Sequence, residues 1–425
     1  MANRATTAKT LATGSMLSAV AAGAALMSGS VLAEESLEGA LKASTAKLNL
    51  RPRYENVTQE SLSSDDTTHS DALTLKTRLT FTTGSYHGVS ALLEFDDVTS
   101  LKDVDYFDGT NGKDGPAIVD PEGTEVNQAY LAYTGLEHTE FKWGRQRILL
   151  DNQRFVGGVG WRQNEQTYDA FSVSNSSISG LTAFYANVSN VNRIVGEAVD
   201  AGDHTHETNL LNVGYEIQDF GTLTAYYYDI DNQDALAVAN ETMGLRFAGS
   251  TAVNDITLAY ELEWADQEET GDNPVEYSTD YTLVSIAGTL SGFTLGIAQE
   301  TLGADDDAGV GFTTSLATLH KFQGWADRFL GTPSTGIKDL YVTFKAGLPM
   351  GLSFIAMYHD FESAEDVASG SDDFGSEIDM ALTKKFDNGA TLQLKYADFS
   401  GEEDAAHGTA TSDVSKVWVM ATYAI

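Results

Sequence analysis

Leu73-Thr74-Leu75-Lys76-Thr77-Arg78-Leu79-Thr80-Phe81 carries apolar side chains at every odd position except Thr77 and polar or charged ones at every even position. A period of two belongs to an extended strand with one apolar and one polar face. A run of this length is also what a tilted strand needs to cross a bilayer. The split returns in Ile256, Leu258, Tyr260, Leu262 and Trp264 against Thr257, Ala259, Glu261 and Glu263, and again in Leu392, Leu394 and Tyr396 against Thr391, Gln393, Lys395 and Ala397.

Followed outward, the pattern predicts eighteen strands, near 45–54, 72–83, 87–96, 125–135, 139–149, 166–174, 180–189, 208–217, 221–230, 240–249, 253–264, 279–290, 292–301, 338–347, 351–361, 375–386, 389–399 and 413–425. Their connections alternate. Even-numbered strands end in tight turns such as Gly135-Leu136-Glu137-His138, Asp219-Phe220-Gly221, Ser291-Gly292, Pro349-Met350-Gly351 and Asp387-Asn388-Gly389, whereas odd-numbered ones run into long acidic segments. An even count with short turns on one side and long loops on the other predicts an all-β fold, a transmembrane antiparallel up-and-down β-barrel over residues 34–425. In hydrocarbon every backbone N–H and C=O needs a partner within the protein, so the sheet must close. Aromatics near strand ends, among them Trp143, Tyr215, Trp264, Phe293 and Tyr358, suit headgroup girdles. Pro52 cannot donate to a ladder and points to an outer strand end or a bulge.

The last residues support this. Val417, Val419, Ala421, Tyr423 and Ile425 alternate with Lys416, Trp418, Met420, Thr422 and Ala424. They resemble the C-terminal strand by which outer-membrane barrels are recognised for insertion, with Ile425 where an aromatic is commoner. At the other end, Arg4 and Lys9 precede an uncharged run from Leu11 to Val31, and Val31-Leu32-Ala33 offers a cleavage position. Residues 1–33 thus read as a secretory signal peptide; the alternative is a membrane anchor. The bacterial outer membrane is the predicted location, with lipid, lipopolysaccharide and the barrel-insertion machinery as partners.

Composition narrows function. The 425 residues include no Cys, which removes disulfides and thiolate chemistry, and the net charge of -37 excludes nucleic acid as a partner. His206-Glu207 begins like a zinc-protease motif, but Leu210 replaces the second His. Gly157-Gly158-Val159-Gly160 lacks a strand-to-helix setting. Neither catalysis nor a cofactor is expected, although acidic loops beside lipopolysaccharide could bridge through Ca²⁺.

About eighteen strands enclose more space than side chains fill, so the lumen holds water. Most strand-borne bases share the inward parity: Lys47, Arg51 and Arg53 on the first segment, Lys76 and Arg78 on the second, then Lys142, Arg246, Lys345, Lys385, Lys395 and Lys416. They could form a cation-lined constriction for anions. Equally, they could pair with inward Glu94, Glu261, Glu263 and Asp379 and brace a wet wall.

Two stretches break the alternation and mix bases with aromatics. One runs from Gly144-Arg145-Gln146-Arg147 through Arg154-Phe155 and Trp161-Arg162-Gln163-Asn164 to Tyr168-Asp169-Ala170, and the other from Gly311-Phe312 through His320-Lys321-Phe322 and Trp325-Ala326-Asp327-Arg328 to Tyr341-Val342. Both resemble segments of the alginate-export family of outer-membrane porins. The resemblance implies an eighteen-stranded barrel, a positively charged constriction passing an anionic polyuronate, and a monomer in preference to a trimer. It makes Arg145, Arg147, Arg154, Arg162, Lys321 and Arg328 candidate pore-lining cations. The functional expectation is a porin for small hydrophilic, anionic solutes, with a dedicated channel for an acidic polysaccharide or oligosaccharide such as alginate, or a structural or adhesive barrel, as alternatives.

Overall fold

The computed structural model describes residues 36–64, 66–367, 370–405 and 412–425, so the export signal read at 1–33 lies outside the described residues. A short helix α1 (Leu37–Lys42) precedes the barrel; the Ser36 hydroxyl caps it, accepting from Gly39 N–H at 3.0 Å. Its Ala40 carbonyl accepts from Gly84 N–H at 3.1 Å, and a Cβ on Gly84 would lie 2.7 Å from that oxygen, so only glycine permits the contact.

Eighteen antiparallel strands follow: β1 (Thr45–Ser61), β2 (Thr67–Thr82), β3 (Val89–Ser100), β4 (Gly123–Leu136), β5 (Thr139–Gln146), β6 (Thr167–Asn175), β7 (Leu181–Asn192), β8 (Asp203–Ile217), β9 (Gly221–Ile230), β10 (Asn240–Val253), β11 (Ile256–Glu269), β12 (Ser278–Leu290), β13 (Phe293–Leu302), β14 (Ile337–Leu348), β15 (Leu352–Glu362), β16 (Asp373–Lys385), β17 (Thr391–Ser400) and β18 (Ser412–Ala424). Each pairs with its sequence neighbours, and β1 pairs with β18 through partners such as Tyr54 with Val419, closing the barrel. The turns follow their chemistry: Ser291 and Gly292 have φ of 51° and 85°, the left-handed pair that a two-residue hairpin requires.

Two differences from the sequence reading stand out. β1 and β2 extend past the apolar alternation, to Ser61 and from Thr67, so the first outer connection is a hairpin rather than a long loop. The added rungs, such as Asn56 with Asp71, are polar on both faces apart from Val57 and give no apolar period. Pro52 sits within β1 rather than at its end: it pairs with Leu75 of β2, whereas the ladder to β18 skips Arg51 and Pro52 without a change of register. The missing donor therefore interrupts the closing seam, and no bulge forms there.

Burial is inverted relative to a protein in water. Leu245, Trp264, Val284 and Ile297 are between 47% and 57% exposed, while the adjacent inward residues Arg246 and Glu263 are buried. That outer band is the lipid face. Inward positions also change along each strand. On β10, Thr242, Gly244 and Arg246 are buried, Ala248 is half-buried, and Ser250 and Ala252 near the short turn are exposed. On β1, Glu55 and Arg53 are buried, Arg51 is half-buried and Lys47 is exposed. Outer connections fill the upper lumen and leave the half next to the short turns as an open vestibule.

The filling comes mainly from residues 147–166 and 303–336, with 101–122 beside them. The first two loops hold each other: Gly157 N–H donates to the Leu316 carbonyl at 2.8 Å and Thr318 N–H to that of Gln153 at 3.1 Å. Aromatic anchors fix them to the wall. Phe155 packs 5.4 Å from Tyr226 and 5.2 Å from Tyr281, Phe329 lies 4.8 Å from Phe361, and Trp161 stacks on His320 at 4.5 Å.

Candidate functional site: a charged belt under the inserted loops

The strands supply a ladder of inward charges, and the loops add the groups that complete it. On the β1 wall, Arg53 binds Asp120 of the 101–122 loop and donates to the Trp161 carbonyl at 2.6 Å. Arg162 descends between Glu55, at 3.1 Å, and Asp327, at 3.2 Å. Asp327 also receives Lys416 at 2.7 Å and His320 Nδ1 at 2.6 Å. Lys395 donates to His320 Nε2 at 2.5 Å, so the imidazole is neutral with its proton on Nδ1. Burial pushes His320 down to about 3 despite the pull of Asp327. The same burial would raise the Asp327 carboxyl, but the His320 hydrogen bond and the charges of Lys416 and Arg162 hold it well below the usual range.

Beside this lies a second network. Arg78 forms a fork on Asp96, at 2.7 and 2.6 Å, and reaches Glu165 at 2.8 Å. Arg147 bridges Glu94 and Glu165, and Lys76 stands 3.5 Å from Asp96 and 3.6 Å from Glu165. Burial would raise the Glu165 carboxyl, yet Lys76, Arg147 and Arg78 hold it below the ordinary range. Arg51 faces Lys76 across the ladder and is satisfied by neutral acceptors, Gln163 Oε1 at 2.9 Å and the carbonyls of Gly160, at 2.8 Å, and Arg162. Exposure is uneven: the Arg147 side chain is 26% and that of Arg78 15% exposed, against 9% for Glu165, 4% for Glu94 and 3% for Asp96. Water in the vestibule meets the guanidinium groups; the carboxylates lie behind them.

The β10–β13 wall repeats the pairing more tightly. Arg246 is held by Glu261 at 2.9 Å and Glu263 at 3.6 Å; Arg154 is held by Glu300 at 2.8 Å and lies over the Phe322 ring at 4.6 Å. Lys321, donating to the Asn152 carbonyl at 2.7 Å, and Lys345 are exposed, and neither has a carboxylate within 4 Å among the described residues.

Of the cations singled out from sequence, the structure brings Arg51, Arg53, Lys76, Arg78, Arg147, Arg162 and Lys395 into one belt, and Arg154, Arg246, Lys321 and Lys345 onto the wall of β10–β14. It leaves three apart. Arg145 shares the parity of lipid-facing Trp143 and pairs with Asp169, at 2.8 Å, and Glu197; Lys142 pairs with Glu140 at 3.0 Å; Arg328 lies over the Phe399 ring at 5.8 Å. The carboxylates Asp120, Glu165 and Asp327 were not among the groups sought as partners. Their only trace in the sequence is that the latter two lie within the basic and aromatic stretches. Among the described residues no group of three or more His, Asp or Glu is arranged to hold a metal ion.

A closed barrel with a lipid-facing apolar band, a vestibule and loops folded into its lumen defines an outer-membrane porin. The chain belongs to the alginate export family, whose model matches residues 44–296 and so includes the first of the two mixed stretches but not the second. No curated protein sequence matches it. Among solved structures it is similar to three Pseudomonas aeruginosa porins. These are OccK11 (OpdR), at 17% identity and a TM-score of 0.69, covering 93% of this chain and 98% of that one; OccK9 (OpdG), at 15%, 0.72, 91% and 99%; and OccK1 (OpdK), at 13%, 0.70, 91% and 99%. The likeness is one of fold.

Proposed function

We propose that this porin passes small hydrophilic anions in preference to cations, as a conduit and not a catalyst, through a passage narrowed by the 147–166 and 303–336 loops. The observation that carries this reading is the uneven exposure of the belt: where Arg147 and Arg78 pair with the carboxylates around Glu165, the guanidinium is the more exposed member, Lys76 alone being buried behind them. Partial neutralisation weakens the field of each pair, but an approaching anion is nearer the guanidinium than the carboxylate behind it. Such a surface lowers the cost of admitting an anion, as cation rings do in anion pores. OpdK has also been solved with vanillate, a small carboxylate. The family match favours a second reading, a dedicated path for an acidic polysaccharide such as alginate.

The test is reversal potential across a salt gradient in a planar bilayer. Anion preference in the parent, lowered two- to five-fold by Arg147→Gln and Arg78→Gln, supports the proposal. Cation preference in the parent sinks it. Saturable block by oligo-uronates but not by small carboxylates would favour the polysaccharide reading.

A further inference from the structure

A separate cavity of about 330 Å³ lies near the outer rim, where the end of β7, the start of β8 and the 231–239 loop meet the inserted 303–336 loop. Its lining is largely apolar, including Val191, Ala235, Val238, Phe312 and Leu316. Arg193 also lines it, without a carboxylate within 4 Å or a side-chain hydrogen bond among the described residues. In an outer loop otherwise carrying Glu197 and Asp200, that lack of a partner is unusual.

Two histidines stand in the same wall, and the hydrogen-bond role of the first is set from behind. The Asn232 side-chain amide donates to His204 Nδ1 at 3.0 Å, which leaves the proton on Nε2. His206 Nδ1 lies 3.0 Å from the Thr208 hydroxyl, which also accepts from Asp231 N–H at 3.0 Å. His206 is only 3% exposed, and its Nε2 is buried with no partner among the described residues, as is the Ser315 hydroxyl in the facing loop. The wall thus gathers an uncompensated guanidinium, polar atoms without partners and an apolar body in one small space.

We infer that this cavity is a binding site for a small organic carboxylate with an apolar, ring-sized body, its anionic end held by Arg193 and the Ser315 hydroxyl and its body by Phe312 and Leu316. It deepens the anion-porin reading on which it rests, adding a capture site outside the charged belt. An apolar pocket with a few convergent polar groups is the usual form of a small-molecule site.

The experiment is equilibrium binding of benzoate to the purified full chain in detergent by calorimetry, with benzyl alcohol as the neutral comparison. The parent binds benzoate saturably and at least tenfold more tightly than benzyl alcohol. Arg193→Gln abolishes that preference, whereas Arg147→Gln leaves it intact and changes only ion selectivity in the bilayer. Ala235→Phe fills the cavity, keeps the cation and also removes binding, which covers the case in which Arg193→Gln does not fold. Equal affinity for the two probes, or benzoate binding unchanged in Arg193→Gln or in Ala235→Phe, overturns the site. Loss of anion preference in the parent channel, with benzoate binding retained, would instead overturn the porin selectivity and leave the cavity standing.

Discussion

Asp327 shows how much one loop carboxylate does in a lumen of this kind. It accepts from Arg162, Lys416 and His320 at once, and those three come from two loops and the last strand. Removing one member of a buried ionic network leaves the others desolvated and unpaired, at a cost of roughly 3–5 kcal/mol. Asp327→Asn is expected to lower unfolding stability in urea by about that amount; a change under 1 kcal/mol would mean that water reaches the network. His320 adds a pH dependence. In the fold it takes up a proton only near 3, against an ordinary value of 6.5, so acid favours the unfolded chain. Its contribution is complete above pH 6.5 and declines as the pH falls toward 3, by up to about 1.4 kcal/mol per pH unit. The depressed Asp327 carboxyl adds a loss in the same direction below about pH 4. Urea midpoints taken from pH 7 to pH 4.5 should fall for the parent and stay nearly level for His320→Gln.

At the scale of elements, the strands were legible and the loops were not. Period-two alternation marks a strand wherever one face meets lipid, and every predicted strand from 45–54 to 413–425 is present. The pattern stopped short on β1 and β2, where both faces meet water or polar loop. What the 147–166 and 303–336 segments do follows from contacts distant in sequence, such as Gly157 with Leu316, that no local period encodes. Parity identified the inward bases but could not say which would meet a carboxylate, because Asp120, Glu165 and Asp327 arrive from loops. Arg145 lies at the end of β5, where strand parity and the turn into the loop compete, and its pairing with Asp169 was not readable. The inserted loops carry their own prediction. Replacing 313–330 with a short Gly-Ser linker should raise single-channel conductance several-fold, since it removes Phe329 and the His320 network from the lumen. An unchanged conductance would place the narrowest point elsewhere.

For the whole molecule, charge is divided by location. The formal total is -37, with many of the acidic residues in outer connections such as 101–122 and 270–277, whereas the exposed cations of the belt face the vestibule. Fields from exposed loops are screened within about 8 Å at physiological salt, and partly buried groups are screened much less. Anion selectivity is therefore expected to strengthen between 0.03 M and 0.3 M salt, as the repulsion of the acidic rim fades faster than the attraction of the belt. Selectivity that falls monotonically over this range would assign it to the exposed surface.

A ring made from one chain has a joint that is completed last. Here the joint is the pairing of β1 with β18, between residues separated by nearly the entire sequence, and closing so long a loop carries the largest entropic cost of any pairing in the molecule. Pro52 removes rungs from that joint and from no other strand pair. Before the last strand docks, the sheet is a curved ribbon with two open edges, and the inserted loops, tethered at both ends to the rim, can settle without threading. The proline leaves a gap of two rungs in the clasp itself, a local weak point in a joint whose ladder is otherwise longer than that of links such as β4 with β5.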